Sequence, residues 1–133
     1  SLGGATQARR IIEDALESEW DVELVHLYGD IGGTDPLPQI ENAEKWLRQH
    51  PGDSALLLAL GKLCVTARLW GKAQSYLEAS IAVEPSWSAH LVAGQLQETL
   101  GNPDAARRHF GECLEQALSQ LRAVGGGRRR TSV

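Results

Sequence analysis

The sequence predicts an all-α fold of about seven helices arranged in antiparallel pairs. Three observations carry that reading. Leu and Ala, at 19 and 16, outnumber the β-branched Val and Ile, at 7 and 5, by about three to one, a bias toward helix formers over strand formers. Apolar residues recur at helical spacing in segment after segment. The breaks between segments span only a few residues, so that consecutive helices fold back on one another.

The elements follow in order. Over residues 5–17, Ala8, Ile11, Ile12, Ala15 and Leu16 form one stripe at i, i+3, i+4, i+7 and i+8, the mark of an amphipathic helix. A second helix spans about Asp21 to Ile31, with Val22, Leu24, Val25, Leu27 and Tyr28 as its apolar side, and Gly32-Gly33-Thr34 ends it. Asp35 and Pro36 then read as N-cap and first residue of a third helix, which carries Ile40, Ala43, Trp46 and Leu47 and stops at His50-Pro51-Gly52. The fourth starts at Asp53 or Ser54 and runs to about Arg68. The fifth covers roughly Gly71 to Val83, the sixth starts after Ser86 and ends at Leu100-Gly101, and the seventh runs from Asn102-Pro103 to about Leu121.

An internal repeat connects these helices. Gly61 and Gly94, Ala73 and Ala106, Leu77 and Phe110, and Ser80 and Cys113 all share one sequence offset and keep their size class. A small residue lets two helices cross closely, and a bulky one on the opposite helix fills the space. One such pair cannot bury its apolar face alone, so neighbours stack. The expected organisation is a single domain over 1–122: a leading helix at 5–17, a divergent first repeat at 21–50, a second at 54–86 and a third at 87–121. Residues 123–133 read as a disordered basic tail, with glycine and charge but no apolar stripe.

Residues Leu57, Leu60, Gly61, Cys64, Ala73, Leu77, Ser80 and Pro85 resemble the tetratricopeptide repeat (TPR), whose helix pairs stack as a right-handed superhelix. His90, Ala93, Gly94, Gln97, Ala106, Phe110 and Cys113 give a second, more divergent match. His90 replaces a large apolar residue, Gln97 an aromatic and Leu118 a proline. Leu27-Tyr28-Gly29 fits the first helix of an earlier unit. Further segments, among them Ala43-Glu44-Lys45-Trp46-Leu47 and Leu69-Trp70-Gly71-Lys72-Ala73, are similar to the C-terminal TPR region of HemY-type bacterial inner-membrane proteins. That resemblance implies haem-biosynthetic enzymes as partners and a membrane anchor outside this chain. The chain opens on Ser1 and has no methionine, which reads as a domain cut from a longer protein.

Charge excludes one class of partner. The net charge is −4, but three arginines sit in the last nine residues, leaving the body near −7. A nucleic-acid binder needs a basic face, so none is expected. No run of apolar residues is long enough to span a bilayer.

No motif carries catalysis. Gly61-Lys62 has Leu63 where a phosphate loop needs Ser or Thr, and Leu56 where it needs its first glycine. Gly29-Asp30-Ile31-Gly32-Gly33 follows a helix and is no dinucleotide fingerprint. Cys64 and Cys113 lie too far apart for a metal pair and read as buried thiols. The four histidines, His26, His50, His90 and His109, share no metal-binding spacing. No metal or cofactor is expected.

The default site of a stacked-hairpin protein is the groove lined by the first helix of each pair. Helical phase assigns to it His26 and Asp30, Lys62 and Thr66, and Gln95 and Thr99. Leu58, Ala59 and Leu91 stand where some TPR proteins place the residues of a carboxylate clamp, so that mode is set aside. The expected function is a non-catalytic protein-interaction scaffold. A haem or porphyrin carrier and a self-association module, pairing through the 5–17 helix and Leu114, Leu118 and Leu121, are the alternatives. Trp46 is expected in the core. Trp20, Trp70 and Trp87, at helix ends, read more readily as core plugs than as interface anchors.

Overall fold

The computed structural model describes residues 2–131, with side chains for 3–125. Seven helices and no strand occur among the described residues: α1 (Leu2–Ser18), α2 (Val22–Asp30), α3 (Pro36–Gln49), α4 (Ser54–Thr66), α5 (Trp70–Val83), α6 (Trp87–Thr99) and α7 (Pro103–Thr131). They group into two compact units, 1–83 and 84–133.

Local chemistry sets the starts. Asp21, Asp35, Asp53 and Ser86 each accept a hydrogen bond from an otherwise unpaired first-turn N–H. The stops of α4 and α6 are the same motif, set apart by the offset of the repeat. Leu69 N–H donates to the Cys64 carbonyl and Asn102 N–H to that of Gln97, both at 2.9 Å. Each closes a Schellman turn, and its left-handed residue is Arg68 (φ 60°) in one and Gly101 (φ 79°) in the other.

In the first unit α4 is the hub. Its residues Ala55–Gly61, Leu63 and Cys64 are buried, because α2, α3 and α5 all lie against it. α2 and α3, expected as a divergent hairpin, meet through side chains: Gln39 Nε2 donates to the Tyr28 carbonyl at 3.3 Å. The Tyr28 ring packs edge-on to Trp46. α1 is fastened by carboxylates. Tyr28 OH donates to Glu13 (2.6 Å) and Trp46 Nε1 to Glu17 (2.9 Å). Burial, then the Glu13 hydrogen bond, raises the Tyr28 phenol well above its usual range. That arrangement turns α1 so that Ile12 and Leu16 are buried, while Ile11 and Ala8, expected on the inner stripe, face solvent. Val22 and Leu27 of α2 are likewise exposed.

In the second unit α6 packs on α7. α7 was expected to end near Leu121, before a disordered tail; its backbone is helical to Thr131. Ser132 and Val133 lie outside the described residues.

Both helix pairs use the same joint. A Cβ on Gly61 would sit 2.6 Å from Leu77 Cδ2, and one on Gly94 would sit 2.6 Å from Phe110 Cδ1. Ala73 and Ala106 are buried. The two polar departures from the repeat pattern, Gln97 and His90, are internally satisfied. Gln97 accepts from Asn102 Nδ2 at 3.0 Å, and His90 Nδ1 lies 3.1 Å from His109 Nδ1. Partnered in this way, a polar side chain can occupy an apolar position without the penalty of an unmade hydrogen bond.

Candidate functional site

Gly29 is where the site begins. A Cβ there would fall 2.8 Å from the Ala59 Cα, so only glycine lets α2 and α4 approach this closely. The approach brings Asp30, the last residue of α2, to Lys62 on α4, with Nζ and Oδ1 2.8 Å apart. A carboxylate at a helix C-terminus opposes the helix dipole, and Lys62 offsets that charge. Asp30 remains 56 % exposed, whereas Lys62 is 23 % exposed. Thr66 is exposed but turns back on its own helix, its Oγ1 donating to the Lys62 carbonyl at 3.2 Å. His26 lies one turn before Asp30 and is half-buried.

Of the six residues assigned to the groove, His26, Asp30, Lys62 and Thr66 therefore belong to the first unit, and Asp30 and Lys62 touch. Gln95 and Thr99 belong to the second unit. Both are exposed, and Thr99 Oγ1 donates to the Gln95 carbonyl at 3.1 Å, as Thr66 does to Lys62 at the equivalent place in the preceding hairpin.

The solved structure MamA MSR-1 C2, a TPR-like protein, is similar to this chain with a TM-score of 0.64. The match covers 89% of this chain and 70% of that one, at 13% identity. The fold is TPR-like. No family model and no curated protein matches the chain.

The other candidates resolve as follows. Cys64 is buried, and burial pushes its thiol up to about 11. Cys113, expected to be equally buried, is half-exposed. Among the described residues no three His, Cys, Asp or Glu side chains are grouped to hold a metal ion. No described helix is long and apolar enough to cross a membrane. Glu44 accepts hydrogen bonds from Tyr76 OH and from Lys72 Nζ. Burial works against its charged form, but those two donors outweigh it and hold the carboxyl below its usual range.

The tryptophans divide. Trp46 is buried and Trp70 half-buried. Trp20 stacks on His50 at 3.9 Å, and its Nε1 donates to Asp53 at 2.7 Å. Trp87 is exposed, contrary to the core reading. Together with Ala117, Gln120, Leu121 and Val124 it lines an open apolar notch of about 340 Å³. Sequence reasoning missed this notch because it placed the end of α7 at Leu121. The signal was present: Leu114, Ala117, Leu121 and Val124 continue the helical stripe past that point.

Proposed function

We propose that this chain is a non-catalytic docking module that holds a segment of another protein along the α2 and α4 face of its first unit; Gln95 and Thr99 stand at the equivalent repeat positions of α6 in the second unit. The observation that carries the reading is the exposed Asp30–Lys62 pair on a TPR-like fold. A half-exposed ion pair contributes little to stability, yet it presents both signs of charge to an incoming backbone or side chain. An extended segment or a helix can use such a surface. The segments similar to HemY-type proteins support haem-biosynthetic enzymes as partners and an inner-membrane setting for the full-length protein.

The test is capture of proteins from a bacterial lysate by the chain and by a Lys62→Glu, Gln95→Ala double variant. Haem-pathway enzymes recovered by the parent and lost by the variant, with unchanged circular dichroism, support the reading. Equal recovery by both overturns it.

A second reading, a haem carrier, draws on His90 and His109. Their Nδ1 atoms face each other at 3.1 Å, and His90 is buried. A Soret shift on mixing with haem that is lost in His90→Ala or His26→Ala would support it, and an unshifted band would dismiss it.

A further inference from the structure

The two ends of the chain carry opposite charge, each beside exposed apolar residues. From residue 11 to residue 44 there are ten Asp and Glu and no Lys or Arg. From residue 116 to the end there are four Arg and no acid. On α2, Val22, Glu23, His26, Leu27 and Asp30 recur at spacings that place them on one helical face. Val22 and Leu27 there are each 50% exposed. On α7, Leu114, Leu121 and Val124 are exposed, and Leu121 and Val124 line the Trp87 notch. Arg122 lies beside them, and Arg128, Arg129 and Arg130 follow on the same helix. α6 has 13 residues and α7 has 29. At about 1.5 Å per residue, more than half of α7 extends beyond the helix it pairs with in its unit.

We propose that this basic, apolar end of α7 docks on the apolar face of α2, beside the exposed acids Glu19, Asp21 and Glu23 at its start, in a second copy of the chain. Charge complementarity selects the partner surface, and Leu121, Val124 and Trp87 against Val22 and Leu27 supply the apolar contact. The contact joins two different surfaces, so each copy can both give and receive. Such contacts build rings or open chains rather than two-fold dimers. The inference rests on the docking reading above, because it names an occupant for the α2 side of that site.

Sedimentation velocity of the full chain over a range of concentrations tests it. The expected result is a mass that rises above one chain with concentration and falls back at high salt, where exposed charges are screened. Leu121→Asp and Leu27→Asp, both at exposed positions, should each raise the dissociation constant about tenfold or more. An equimolar mixture of the two variants should recover a species of two chains and no larger, because each variant keeps one intact surface. A single-chain mass at every concentration overturns the proposal and leaves the α7 face to a different acidic partner. Association that is lost in Leu121→Asp but unchanged in Leu27→Asp overturns it in favour of α7 pairing with itself. If the chain stays single while the Lys62→Glu, Gln95→Ala variant still loses captured proteins, the docking reading stands and only its second-copy occupant fails.

Discussion

Arg68 and Gly101 occupy equivalent turns with different tolerance for a left-handed backbone. Each follows a helix end closed by the same i to i−5 hydrogen bond. Gly101 adopts positive φ without steric cost, whereas an L side chain at φ 60° is strained by about 1 kcal/mol or more. Arg68 is exposed, so its replacement sacrifices little packing. Arg68→Gly should stabilise the first unit by about 0.5–1 kcal/mol after the added flexibility of the unfolded chain is deducted; denaturant titration checks this. The cysteines give a second contrast. Cys64 has a folded-state thiol raised from 9.0 to about 11 by burial, so the neutral form is favoured and the thiol is shielded. Its contribution to stability is complete below pH 9 and is lost as pH rises toward 11. At about pH 8, below the ordinary thiol range, a thiol reagent should label Cys113 rapidly and Cys64 only after unfolding.

At the scale of the helix, three glycines set three close approaches, and they differ in what they meet. Gly61 and Gly94 face the ends of the Leu77 and Phe110 side chains, which can shift. Gly29 faces the backbone of Ala59, which cannot shift without moving α4. Gly61→Ala should therefore cost about 1–2 kcal/mol and Gly29→Ala about 3 kcal/mol, at the upper end of overpacking penalties. Thermal melts of the two variants would rank them. α3 and α5 are linked by the Glu44 carboxylate, which Tyr76 and Lys72 hold ionised. A carboxyl lowered on folding contributes stability above its unfolded value, and that contribution is lost as pH falls through the folded value. Stability should drop as pH falls below about 4.5. Tyr76→Phe, which removes one donor, should make that drop shallower in acid titrations followed by circular dichroism.

For the molecule as a whole, burial is concentrated on α4, which is covered by three neighbouring helices. Amide exchange should be slowest over residues 56–64 and fast over 119–125 of α7, where side chains are exposed or nearly so. How far this organisation can be read from sequence depends on the range of the forces involved. Caps at Asp35, Asp53 and Ser86, the small–bulky partners of the repeat and the buried Ala73 and Ala106 follow from local pattern, because their causes lie within one hairpin. The rotation of α1 depends on Glu13 and Glu17 reaching Tyr28 and Trp46. No apolar periodicity encodes that contact, so Ile11 reads as an inner residue and yet faces solvent. Helical phase assigns Lys62 to the open side of α4. Its pairing with Asp30, however, depends on the Gly29–Ala59 approach, a contact between residues of two different repeats. The Trp87 notch was hidden by a glycine run that signalled a stop and that the helix nevertheless passes through.

The matched Schellman turns have a consequence for how the chain could change length. The caps at Asp53 and Ser86, the glycine joints and the turns at Arg68 and Gly101 recur from one hairpin to the next at a constant offset. The hairpin is thus a unit of inheritance as well as of packing, and the interval from Gly61 to Gly94 is its quantum. Duplication of one whole unit would supply the new hairpin with its own cap, joint and turn between its helices. An insertion of any other size between Gly61 and Leu77, or between Gly94 and Phe110, would change the spacing between a glycine and the side chain it makes room for.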